Sequence, residues 1–359
     1  MSKINIALKN IIIVLAFSIS SCKTMHSPKN SGIVSSEVWF EEDEYNPEAT
    51  ESLTKKNGED FRILLLADIQ ISGSPWTIHK TFNQIDELID SVKPDFIMTL
   101  GDNTEWRYSD KMAKKLIRFM EKKNIPWGVV LGNHDSAEGR KARPWYGNRY
   151  EEAKNSMFKY GPNNIKGVGN YIVNINDENG DVIYTLAMMD SNNSIMYKGK
   201  HSYDFIHRDQ QNWYKWQIEG ISKTQYGTDT KVVPSMCFFH IPLLEFDDAQ
   251  KAVKEGKIDK SKVRGDNSEA VASSKINSGF FDVLKDVKST THVFCGHDHV
   301  NDMSIEYEGI ILSYGLKTGH TSYFDEKKQG GVLVTIKAGN NNKNESTGKV
   351  DMEYIYLND

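Results

Sequence analysis

The sequence predicts an α/β fold, a sandwich of two mixed β-sheets flanked by helices, on three observations. From Phe61 onward, short apolar runs alternate with amphipathic helical stretches, the order in which strands and covering helices build layered α/β domains. In mid-chain, Asn179-Gly180 separates two strand-like runs, a two-residue hairpin signal that brings antiparallel pairs into the sheets. Towards the end, further strand-like runs follow one another without helical stretches between them.

The elements follow in order. Three early units repeat one logic: "FRILLLAD" leads to a helix near "TIHKTFNQIDELIDSV", "DFIMTLGDN" to "DKMAKKLIRFMEKK", and "IPWGVVLGNHD" to "RYEEAKNSMFKY". The helical halves repeat apolar residues every three or four positions, and each polar cluster falls at a strand's carboxyl end. The hairpin then joins "NYIVNIND" to "DVIYTLAMMDS". A Trp-rich helix ("DQQNWYKWQIEG"), the strand "SMCFFH", a helix around "INSGFFDVLKDV" and the strand "THVFCGH" come next. "MSIEYEGIILSYG", "GVLVTIKA" and "VDMEYIYL" close the chain as strands.

At 359 residues with 38% hydrophobic content the chain can bury a full core. A net charge of -5 and a pI near 6.1 provide no basic field, so nucleic acid is not an expected partner. The first 22 residues place Lys3 and Lys9 before a short apolar run that ends in "SISSC", the layout of a signal peptide. That ending resembles a bacterial lipobox, which makes Cys22 the expected site of lipid attachment and the protein an exported one, anchored to the cell envelope. Residues 23–60 read as a polar tether and 61–359 as the folded domain. Cys237 and Cys295 are expected to be buried free thiols, since two cysteines make no disulfide framework.

The strand ends carry the chemistry: Asp68 and Gln70, then Asp102, then Asn133, His134 and Asp135, then His240, then His297 and His299. Carboxyl ends of strands in α/β sheets gather on one edge, so these groups should converge. A lone "GNHD" could be a capped turn and a lone "HDH" a pair of surface histidines. All five clusters in order, each after an apolar run, point to a shared site. Carboxylate, imidazole and amide oxygen without thiolate suit zinc, manganese or iron. The donors exceed what one ion needs, and a carboxylate shared by two ions is the arrangement of two-metal hydrolysis. Asp102 is the natural bridge.

These motifs, with "FFHIPLLEF" and "GHDHVND", resemble those of the calcineurin-like metallophosphoesterase superfamily, in its purple-acid-phosphatase-like branch, over roughly residues 61 to 320. The resemblance implies an αββα sandwich with two divalent ions (Mn, Fe or Zn). Asp68, Gln70, Asp102 and His299 would hold one ion, and Asp102, Asn133, His240 and His297 the other. His134 would face the substrate as general acid, oriented by Asp135, with Asn133 and His320 also lining the substrate site. The implied reaction is hydrolysis of phosphate esters, expected on monoesters, by a water activated between the ions. A phosphodiesterase or nucleotide pyrophosphatase would use the same site, and a metal-binding surface lipoprotein without turnover is the alternative of another class. Two positions depart from the pattern. Glu105 stands where purple enzymes carry a ligating tyrosine, and Gln70 where the family usually has histidine, so Gln70 should either ligate weakly through its amide oxygen or hydrogen-bond a coordinated water. Lys317, Asp190 and the Trp213, Tyr214 and Trp216 stripe fit structural roles as well as functional ones.

Overall fold

The computed structural model describes residues 35–137, 141–228, 230–338 and 349–357. The first half of the chain runs β1 (Glu51–Thr54), β2 (Phe61–Leu66), α1 (Pro75–Val92), β3 (Phe96–Leu100), α2 (Ser109–Glu121), β4 (Trp127–Val130), α3 (His134–Ala137) and α4 (Arg143–Glu151). The middle holds β5 (Tyr171–Asn176), β6 (Val182–Met188), β7 (Ser194–Tyr197), β8 (Lys200–Tyr203), α5 (Arg208–Tyr226) and β9 (Ser235–Phe238). Then come α6 (Glu245–Lys254), β10 (Val263–Arg264), α7 (Phe280–Asp286), β11 (Thr290–Cys295), β12 (Ser304–Tyr307), β13 (Ile310–Tyr314), β14 (Gly330–Ile336) and β15 (Val350–Tyr356).

One sheet has the order β15-β14-β2-β3-β4, with β2, β3 and β4 parallel; the other has the order β1-β5-β6-β9-β11-β13-β12-β10. Period-two alternation assigns each face of the larger sheet. Leu186 and Met188, Met236 and Phe238, and Phe294 join β2, β3 and β4 in the core between the sheets. Their neighbours Ala187, Cys237, Phe239, Val293 and Cys295 turn outward against Trp213, Tyr214 and Phe280 from α5 and α7. On the far side of the smaller sheet, Ile85, Leu88 and Leu116 bring in α1 and α2. The layers are therefore αββα, as expected. Helix α1 starts where it does because the Ser74 hydroxyl accepts from Thr77 N and Pro75 occupies the first turn. Cys237 and Cys295 are free and buried, and no helix among the described residues is long and apolar enough to cross a membrane.

Two boundaries differ from expectation. The described part of the stretch read as a tether is folded onto the domain: β1 pairs in parallel with β5, and Trp39, 8% exposed, packs edge-on against Trp216. A four-residue edge strand with two half-covered side chains has no apolar period to announce it. The helix expected over "RYEEAKNSMFKY" lies earlier, over Arg143–Glu151, because Pro144 starts it. The expected signal peptide over residues 1–22, Cys22 included, lies outside the described residues.

Candidate functional site

The loops leaving β2 and β3 run side by side, with Asp68 N donating to Gly101 O (3.2 Å), Gln70 N to Asp102 O (2.8 Å) and Ile71 N to Asn103 O (3.0 Å). On the larger sheet, Gly296 N donates to His240 O (3.1 Å), tying the ends of β9 and β11 together. Bonds at this edge cross between the sheets, among them His297 N to Asp68 Oδ2 (3.0 Å) and His240 Nδ1 to Leu100 O (2.8 Å). The five polar clusters therefore meet where both sheets present their carboxyl ends.

The backbone is forced to reach this arrangement. Asp68, Gln70, Asp102 and His297 all have positive φ, at +48°, +43°, +47° and +79°, a conformation costing about 1–3 kcal/mol each outside glycine. Such strain persists only where surrounding contacts over-determine it, and functional sites are where it collects. Two glycines make room. A Cβ on Gly132 would sit 2.1 Å from Asp102 Oδ1, and one on Gly101 would sit 2.5 Å from the His240 ring.

Two sets of donors result, Asp102 with His240 and His297, and Asp68 with Asp102 and His299. All four of the flanking groups and Asp102 itself are buried. Tautomers decide what these sets can bind. His240 Nδ1 gives its proton to Leu100 O, so in the neutral ring Nε2 is a lone pair facing Asn133 Oδ1 at 3.1 Å and Asp102 Oδ1 at 3.3 Å. His299 Nδ1 likewise donates to Tyr323 O (3.0 Å), which turns its Nε2 lone pair to Asp68 Oδ1 at 3.4 Å. Asp68 Oδ1 and His297 Nε2 make no hydrogen bond. With both rings neutral, buried acceptors face acceptors across the cluster, an arrangement that a cation can satisfy, and these donors suit a divalent ion.

Protons alone balance this charge unevenly. Burial works against a charged His240, yet Asp102 and Asp68 hold its pKa up to about 9. His297 is pushed down to about 3 by burial and by the neighbouring His240. Asp102 stays well below the usual carboxylate range because His240 overcomes the penalty of burial.

Three of the expected site residues make their described contacts elsewhere. Gln70 does not offer its amide oxygen to the cluster: Oε1 accepts from Lys317 Nζ at 2.6 Å, and Nε2 donates to Asp102 Oδ2 at 3.4 Å. Asp135 does not touch His134. Its Oδ1 accepts from Thr104 N (2.9 Å) and Thr104 Oγ1 (3.1 Å), and its Oδ2 from Gly132 N (2.8 Å) and Asn103 Nδ2 (3.1 Å). It clamps the β3 loop to the β4 loop. His320 is held by Thr81 Oγ1 through its backbone and packs edge-on against Phe324, with none of its described contacts reaching the acidic cluster.

His134 is half-buried, with its backbone N–H on Asp102 Oδ1 (2.8 Å) and its Nδ1 without a hydrogen bond. Asp298 points away to Tyr314 OH at 2.7 Å. Sequence reading did not single out Arg143, whose guanidinium donates to Leu131 O (3.0 Å) and Gly132 O (2.8 Å) while pairing with Asp190. Nor did it find Tyr203 against His297 and Tyr323 stacked on His299, both with ring centroids 4.3 Å apart. No short motif marks any of these three.

The chain is similar to known proteins. The family model described as calcineurin-like phosphoesterase matches residues 61–301. "Probable inactive purple acid phosphatase 29" of Arabidopsis thaliana is 31% identical, covering 74% of this chain and 74% of its own length. "Probable inactive purple acid phosphatase 14" of the same plant is 30% identical over 68% of this chain and 63% of its own length, so the chain spans under two thirds of that relative. "Phosphatase DCR2" of Saccharomyces cerevisiae is 31% identical over 66% of this chain and 42% of its own length. With the family model spanning the strands that build the cluster, this chain belongs to the calcineurin-like phosphoesterase family.

Proposed function

We propose that the protein is a metal-dependent hydrolase of phosphate esters, a phosphomonoesterase, exported and lipid-anchored through Cys22 in a bacterial form of the purple-acid-phosphatase-like branch. The observation that supports it most is the meeting of carboxylate oxygens and imidazole lone pairs from both sheets, acceptors facing acceptors, at one strand-end edge. Asp102, Asn133, His240 and His297 would hold one divalent ion, and Asp68, Asp102 and His299 the second, with Asp102 common to both.

When bound, such ions supply Lewis-acid charge at the phosphoryl oxygens and an acidified water. The chain's own residues do the rest. Leu100 O and Tyr323 O fix the tautomers of His240 and His299, so that their Nε2 lone pairs point inward. His134 is tethered through its backbone to Asp102, which leaves its ring free to give a proton to the leaving alkoxide. Arg143 and Asp135 hold the loop that carries Asn133 and His134.

One observation favours a second reading, a metal-binding protein without turnover: the buried Lys317 ammonium stands beside the donors of one half-site. One experiment separates the readings. Turnover of an aryl phosphate and an aryl phosphodiester is measured with Mn²⁺, after chelation, and in Asp102→Ala, alongside bound metal. The proposal expects monoester turnover that disappears with the metal, and Asp102→Ala emptied of both ions. Faster diester cleavage would replace the monoesterase reading, and metal without turnover would establish the non-catalytic one.

A further inference from the structure

The two halves of the metal cluster are chemically unequal, and the difference lies in Lys317. The Asp102, Asn133, His240 and His297 half is lined by two imidazoles, a carboxylate and a neutral amide. The Asp68, Asp102 and His299 half has three donors, and where a fourth is expected Gln70 has already given its oxygen to an ammonium, 2.6 Å away.

Lys317 is not a side chain that can swing aside. It is 2% exposed, and its Nζ also donates to Asp68 O at 3.0 Å. Its backbone is bridged to Ala67, the next residue's N–H donates to Ala67 O at 2.8 Å, and its own carbonyl accepts from Gly330 N at 3.1 Å. The segment between β13 and β14 is therefore fastened to the end of β2 on one side and the start of β14 on the other. For Gln70 to ligate, it would have to strip a buried ammonium of the nearer of its two partners, which is costly.

We propose that Lys317 is a built-in cation that partly takes the place of the second metal ion: it neutralises the Asp68/Asp102 pair, removes Gln70 from the ligand set, and leaves the Asp68–Asp102–His299 half a weak, exchangeable divalent site beside one tight site. This rests on reading the cluster as a metal centre. Two effects act in the same direction, a missing ligand and like-charge repulsion. Even under water-like screening, a unit charge a few ångströms from a divalent ion weakens its binding by about tenfold.

The test is titration of Mn²⁺ into the metal-free protein, with bound metal counted at equilibrium and the spin state followed by electron paramagnetic resonance. The wild type should take one equivalent tightly as an isolated Mn²⁺ and show spin-coupled pairs only at large excess. Lys317→Met should tighten the second equivalent by about tenfold or more and leave the first within about twofold, whereas Lys317→Arg, which keeps the charge, should behave like the wild type. Circular dichroism checks that each variant is folded; if Lys317→Met is not, the wild-type titration and Lys317→Arg decide. Two equivalents of equal affinity in the wild type, or an unchanged second affinity in folded Lys317→Met, would overturn the role of Lys317 while leaving the metal centre intact. No metal bound in either half would overturn the metal-centre reading itself, and this inference with it.

Discussion

Replacing Asp135 with alanine separates a clamp from a catalytic partner. The carboxylate is fully buried and accepts from four donors, Thr104 N, Thr104 Oγ1, Gly132 N and Asn103 Nδ2. Each buried donor left unmet costs about 1–3 kcal/mol, and because the four share one acceptor their losses overlap. Some of the loss is offset, since burial and the nearby Asp102 already push the Asp135 carboxyl above its ordinary pKa. A net loss of roughly 3–6 kcal/mol follows, a large part of a domain's usual 5–15 kcal/mol or so. Urea unfolding of the metal-free protein, read from its seven tryptophans, measures it. A folded Asp135→Ala that loses less than about 1 kcal/mol refutes the clamp. If such a variant also matched His134→Ala in reduced kcat, Asp135 would act through His134 after all.

His134→Ala should keep its full complement of metal and slow turnover by roughly 10²- to 10⁴-fold, the range for a positioned acid; unchanged kinetics would make the ring structural. Acid should weaken the fold through His292, whose pKa burial lowers from 6.5 to about 4. The folded ring stays neutral while the unfolded one takes up a proton, so this contribution is complete above pH 6.5 and is lost as pH falls from there to about 4, amounting to about 2 kcal/mol at pH 5. Urea midpoints at pH 7 and pH 5 should therefore differ less in His292→Gln than in the wild type, and an equal difference would discount His292. Cys22→Ser should move the protein from the membrane fraction to the soluble one with unchanged kcat, and continued membrane association would remove the lipid anchor.

Strand and helix order was legible along most of the chain because most apolar runs were largely buried and ended in a recognisable turn or cap; "FRILLL" and "FIMTL" needed nothing else. Three short strands without an apolar run were not legible. β1, β7 and β8 are four residues each, and partners distant in the chain or a tight hairpin, not their own pattern, hold them. By itself the sequence showed the layered α/β class and placed Asp68, Asp102, Asn133, His240, His297 and His299 at strand ends, because donor type and strand-end position are local properties. The tertiary structure alone decided what Gln70, Asp135 and His320 do. An amide oxygen or a carboxylate bonds whichever partner lies nearest, and for Gln70 that partner is Lys317, 247 residues away along the chain and 2.6 Å away in space.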